Sequence, residues 1–164
     1  MMKSITYKGQ RGVFLLEALI GIIIFSIGIL TMIALQTTAI AVQADAQYRI
    51  EAANLADRML GEIALNVDRT TPATVQASLA NFAHRTGGAL NSCNYTGAIS
   101  ADPLVAAWAT AINTTATTRL PGSAPTMQQV LVNTGNFNQV IITICWQSPA
   151  DRAPRRHSLV SYVN

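Results

Sequence analysis

Few residues in this chain combine a reactive side chain with a spacing that supports chemistry. The candidates are two cysteines, Cys93 and Cys145, two histidines, His84 and His157, and one carboxylate, Glu17, set inside a long apolar run. No Walker loop, GxSxG elbow, HExxH or GxGxxG occurs. A thiol nucleophile would have to join Cys93 or Cys145 to His84 or His157, and pairing of the two cysteines with each other is the better account. Ser158 adjoins His157 on an expected strand, where neighbours point to opposite faces, which argues against a dyad. Both histidines are isolated, and no CxxC or HxxxH spacing offers a metal site. The expectation is a non-enzymatic protein without catalytic residues, metal or cofactor.

The two cysteines admit two readings. A disulfide between Cys93 and Cys145 would restrict the unfolded chain by on the order of 4 kcal/mol in the loop-entropy model. The other reading is two buried thiols. An extracytoplasmic setting favours the bridge, because disulfides persist there.

Glu17 poses the sharper question. From Val13 to Leu35 the chain is apolar, with Glu17 its one charged residue, and no charge follows until Asp45. At 1.5 Å per residue that run is long enough for a bilayer core of about 30 Å. It exceeds a signal-peptide core, and no small-x-small cleavage site closes it. Lys3, Lys8 and Arg11 precede it, so the positive-inside rule puts the N-terminus in the cytoplasm and the remainder outside. A carboxylate in such a segment is costly, roughly 2.5 to 3.5 kcal/mol at the centre and less near an end, and reads as functional. Two accounts stay open: a cationic partner, or snorkelling to the interface with help from the helix dipole.

Composition has to be taken by segment. The chain of 164 residues is 50% hydrophobic with a formal net charge of +3 and a pI near 9.2. Both lysines lie in the first twelve residues, and beyond Gly12 eight arginines face eight acidic residues. The basic excess therefore belongs to the leader. No basic stripe with interleaved aromatics follows it, and Arg152, Arg155 and Arg156 read as a solvated loop, so direct nucleic-acid binding is not expected.

These residues carry a resemblance. Lys8-Gly9-Gln10-Arg11-Gly12, followed by the apolar segment with Glu17 five residues after the glycine, resembles the class III signal of type IV prepilins and related pseudopilins. The resemblance implies cleavage by a prepilin peptidase after Gly12, N-methylation of Val13, and retention of the hydrophobic helix. It also supplies a partner for Glu17, namely the new amino terminus of a neighbouring subunit. A buried charge pair of this kind gives register and recognition more than stability. The sequence departs from the family pattern twice. Val13 stands where phenylalanine or methionine is usual, which bears on methylation, and no proline occurs before Pro72. Gly21 and Gly28 could loosen the helix instead, each at about 1 kcal/mol relative to alanine, or serve as close-packing points.

Past Leu35 the pattern becomes amphipathic. Val42, Ala46, Ile50, Ala53, Ala56, Leu60, Ile63 and Val67 recur at three- and four-residue steps. Together with the apolar run they predict one helix from Val13 to about Asn66, about 80 Å long. Thr71-Pro72 opens a second helix with Val75, Leu79 and Phe82 inward and Gly87-Gly88 as its stop. Asp102-Pro103 opens a third, carrying Leu104, Ala107, Trp108 and Ala111 inward. Asn94-Tyr95-Thr96 matches a glycosylation acceptor and reads as incidental. Asn113 to Thr118 is low in complexity. Strands follow at Met127 to Val132, Phe137 to Trp146 and His157 to Val163, the first two joined by a turn at Asn133 to Asn136.

The expected fold is α+β and pilin-like, a long N-terminal transmembrane and amphipathic helix packed on a small antiparallel sheet. Residues 1–12 form the leader, 13–40 the transmembrane and assembly half of the helix, and 41–164 the periplasmic domain. Ala56-Asp57-Arg58-Met59, the Trp108 helix running to Leu120-Pro121-Gly122, and Cys145-Trp146-Gln147 resemble the PilV-type minor pilins. That resemblance implies assembly with other minor and major pilins and the inner-membrane pilus machinery, in support of adhesion, twitching motility or DNA uptake. The alternatives are a type II secretion pseudopilin and a signal-anchored periplasmic enzyme or binding domain.

Overall fold

A computed structural model describes residues 11–114 and 120–164. Expectations for the first ten residues of the leader, and for most of the low-complexity stretch, fall outside the described residues. The elements in chain order are helices α1 (Arg11–Asn66), α2 (Pro72–Asn81) and α3 (Pro103–Thr114), a 3-10 turn at Pro125–Met127, and strands β1 (Gln128–Asn133), β2 (Gln139–Trp146) and β3 (Arg155–Tyr162). The chain divides into two compact units with the boundary after Asp45.

The first unit is the N-terminal part of α1. Leucine, isoleucine and alanine dominate it and no proline interrupts it, so no missing N–H breaks the main-chain ladder. Every residue from Val13 to Gln43 is exposed.

The second unit begins with the rest of α1. There Ala52, Leu55, Ala56, Met59 and Ile63, and Val67 just past the helix end, are buried at three- and four-residue steps. This stripe differs from the expected one at its start, because Val42 and Ile50 are 64% and 62% exposed. α2 starts where expected. Thr71 and Thr74 form a reciprocal capping box, Thr74 N donating to Thr71 Oγ1 at 3.2 Å and Thr71 N to Thr74 Oγ1 at 2.9 Å. It stops at Asn81 rather than at Gly87-Gly88. The reason is long-range: His84 N donates to Val130 O at 2.9 Å and Val130 N to His84 O at 3.0 Å, which draws the chain into an extended bridge.

Asp102 caps α3 by accepting from Leu104 N at 2.8 Å. Its inward face is Val105, Trp108 and Ile112, while Ala107 is exposed and Leu104 and Ala111 half-buried. The three strands form an antiparallel meander in the order β1-β2-β3. The β1–β2 turn is longer than expected, with Phe137 and Asn138 at φ of 52°, and β3 begins at Arg155 rather than His157.

Alternation along β2 sorts the core. Val140, Ile142, Ile144 and Trp146 join Val130, the buried stripe of α1, Leu79, Phe82 and the α3 face in the main cluster. Cys145 points to the opposite face, where Cys93, Tyr95 and Met127 form a smaller cluster. Gly122, at φ of 60°, admits no side chain, since a Cβ there would sit 2.3 Å from the Gln147 carbonyl.

Candidate functional site

The candidate site is the start of α1. The helical backbone already includes Arg11 and Gly12, so the expected cleavage junction lies inside the helix rather than ahead of it. Glu17 consequently lies beyond the first turn, which carries no acidic residue. That removes the first-turn dipole as the account of Glu17 in the uncut chain, because the effect fades past the first turn. Val13 and Glu17 are four residues apart, hence one above the other on a common face. Among the described residues no cation pairs with Glu17.

Around Glu17 the helix offers an unbroken apolar surface. Val13, Phe14, Leu16, Ile20 and Ile24 are 46 to 73% exposed. Its hydroxyls are satisfied within the helix. Ser26 Oγ donates to Ile22 O at 2.7 Å, Thr31 Oγ1 to Gly28 O at 2.7 Å, and Thr37 Oγ1 to Ile33 O at 3.0 Å. Such back-bonding removes the penalty that a free hydroxyl would carry in an apolar phase. A Cβ placed on Gly21 or Gly28 would meet nothing within 4 Å, so nothing in this chain requires those glycines. Among the described residues one helix is long and apolar enough to cross a membrane, and the apolar window that qualifies it has no buried residue.

The cysteine expectation resolves to the bridge. Cys93 and Cys145 form a disulfide with Cα atoms 5.7 Å apart and 52 residues of separation. Tyr95 lies against it, its hydroxyl donating to Leu90 O at 3.0 Å and standing 3.7 Å from Cys145 Sγ. Burial pushes the Tyr95 phenol above its ordinary value. His84 and His157 stay apart from this cluster. His84 is buried and accepts from Ser100 N through Nδ1 at 3.2 Å. Desolvation, aided by the neighbouring Arg85 charge, holds its imidazole below the usual value. Its role is to close the edge of β1, and nothing in the sequence around it signals that pairing.

A second feature has no counterpart in the expectations. α1 and α3 flank a cavity of about 120 Å³ lined by Leu55, Arg58, Met59, Glu62, Leu104 and Trp108, among others. Trp108 Nε1 donates to Leu55 O at 2.9 Å at its base. The cavity could seat an apolar side chain, with Arg58 and Glu62 one helical turn apart at its rim. Among the described residues no three His, Cys, Asp or Glu side chains gather as a metal site would require.

A scan against known protein families, and comparisons with curated proteins and with solved structures, found no match.

Proposed function

We propose that this chain is a minor type IV pilin, made as a prepilin, cut after Gly12 and incorporated into a pilus through the N-terminal half of α1. The observation that carries the reading is the junction itself: a basic leader ends at a glycine, and five residues later a lone carboxylate interrupts an apolar helix. The exposed apolar surface from Val13 to Leu35 supports it, since that surface finds no cover among the described residues. In this reading the segment resides in a bacterial inner membrane with the C-terminal domain in the periplasm. It later packs among major and other minor pilins and with the assembly machinery. Glu17 accepts the amino terminus of a neighbouring Val13, and the pair is favourable because both charges are present together in a water-poor setting. A type II secretion pseudopilin would share all of this, so assignment to the pilus rests on the resemblance of the downstream segments.

Two experiments test the proposal. Co-expression of the full chain with a prepilin peptidase is expected to give a product whose first residue is Val13. A membrane-resident protein that keeps its leader would overturn the reading in favour of a signal-anchored domain. Glu17→Ala is expected to leave membrane insertion and the disulfide-bonded domain intact while lowering recovery in sheared pili at least tenfold. Equal recovery of variant and parent would remove Glu17 from assembly.

A further inference from the structure

Two buried donors on neighbouring residues, His84 Nε2 and Arg85 Nε, have no hydrogen-bond partner. His84 is 3% exposed. Its Nδ1 accepts from Ser100 N at 3.2 Å, so the neutral ring carries its proton on Nε2. Arg85 is half-buried, and among the described residues no carboxylate pairs with its guanidinium. Gln129 does not answer the need, since its free acceptor Oε1 bonds to neither nitrogen. A buried donor without an acceptor is costly, and a partly buried cation without a counter-charge more so.

The main chain fixes where both side chains start. His84 is paired with Val130, Arg85 N donates to Ala98 O at 2.8 Å, and Arg85 O accepts from Gln129 Nε2 at 2.8 Å. Between these anchors Arg85 takes a φ of 47°, a left-handed conformation that a long side chain keeps only where its surroundings impose it. The same two residues line a cavity of about 280 Å³ beside α3. Ile99, Ala106 and Pro125 give it apolar walls, and no acidic residue lines it. Asn113 on the same wall is already engaged, donating to Ala109 O and Gln128 Oε1 and accepting from Ser123 Oγ.

We propose that this cavity binds a small organic monocarboxylate, its charge held by Arg85 and the His84 Nε2–H and its short apolar tail by Ile99, Ala106 and Pro125. Two donors with no acidic neighbour call for an acceptor, and a carboxylate presents two oxygens at the spacing of a guanidinium fork. Both nitrogens are shielded from solvent, so the carboxylate reaches them as the Arg85 side chain swings on its fixed main chain. The apolar walls select against inorganic phosphate, which has no tail to cover them. Volume sets the size, because the cavity falls just below the usual ligand range of about 300 to 1,000 Å³. Other cavities offer different chemistry. The one between α1 and α3 carries both Arg58 and Glu62, and in the one at the start of α2 Arg69 already donates to Asn164 O and Val67 O. The site involves only the second unit and stands whether or not the leader is cut.

The test is an NMR titration of the full chain, leader included, in non-ionic micelles with sodium butyrate at constant ionic strength. The chain has two histidines, so the His84 imidazole reports on the cavity and His157 on β3 is the control. Butyrate is expected to shift the His84 signal saturably and to leave that of His157 in place. Butyramide, which keeps the shape and loses the charge, is expected to bind at least tenfold more weakly, as is inorganic phosphate. Arg85→Gln should lower butyrate affinity at least tenfold. Ala106→Phe, which fills the cavity from an exposed position on α3 and keeps Arg85, should do the same and carries the test if Arg85→Gln fails to fold. A shift without saturation, equal binding of butyramide or phosphate, unchanged affinity in either folded variant, or a response to a polyglutamate peptide alone would each overturn the proposal. N-terminal sequencing of the same material reports separately on the pilin reading.

Discussion

Ile24 and Ile63 belong to one uninterrupted helix, yet Ile24 is 65% exposed and Ile63 fully buried. Helix propensity treats the two positions alike, so the backbone conformation cannot explain the contrast. What differs is the partner. Ile63 packs with Met59, Val67, the sheet and α3 in a shared core, whereas among the described residues Ile24 has no cover from its own chain. Apolar area left in water costs about 25 cal/mol per Å². Among the described residues nothing covers the N-terminal half of α1, and in the proposed reading lipid and then neighbouring subunits do so. The comparison separates a residue that stabilises the fold from one that places it.

The largest effect that sharpens this contrast comes from truncating one isoleucine at a time. Ile63→Ala should destabilise the domain by about 2 to 5 kcal/mol, the range for a buried aliphatic cut back to a methyl group. Ile24→Ala should change it by less than about 0.5 kcal/mol. Denaturant melting of the full chain in micelles, followed by the fluorescence of Trp108 and Trp146, measures both. Equal shifts would break the division into two units. Next in size is Ile24→Arg, expected to weaken membrane insertion by about 2.5 to 3.5 kcal/mol. Alkaline extraction should then release more of the variant, while its domain melts as the parent does.

Which parts of this were legible in the sequence follows the same divide. The extent of α1 was readable because the absence of proline before Pro72 and the capping threonine Thr71 are local signals. The start of the buried stripe was not. Val42, Ala46 and Ile50 keep the helical period, but these three are exposed, and period alone cannot say where packing begins. α3 shows the complementary difficulty. Leu104, Ala107 and Ala111 share a face with Trp108, and so do Val105 and Ile112, one step round. The expected inward face was the first, but the structure buries the second while the first lines the cavity beside α1. The glycines at 87 and 88 read as a helix stop, yet a pairing between residues 46 apart, His84 and Val130, takes the chain into an extended bridge first, and α2 ends at Asn81. The disulfide was legible as one of two readings, and the Gly12 to Glu17 signal as a resemblance. The place of β3 at the sheet edge left no local mark, because it depends on strand order.

The smallest predicted effect is a pH dependence confined to the second unit. Burial lowers the His84 imidazole from an ordinary value of 6.5, so the folded chain refuses a proton that the unfolded chain accepts. Stability from neutral His84 is then fully present above about pH 6.5 and is lost as pH falls toward the lowered folded value. Asp68 and Asp151, held low by Thr70 and Arg155, lose their contribution in a separate window, below the ordinary value of 3.8. Melting between pH 7.5 and pH 5 should therefore show falling stability, and His84→Gln, which can still accept from Ser100 N, should flatten that slope. The Ile24→Ala chain should retain the full slope, since the group responsible and the core it supports both lie beyond Asp45. A slope that persists in His84→Gln would place the proton uptake elsewhere and take His84 out of the account of the β1 edge at low pH.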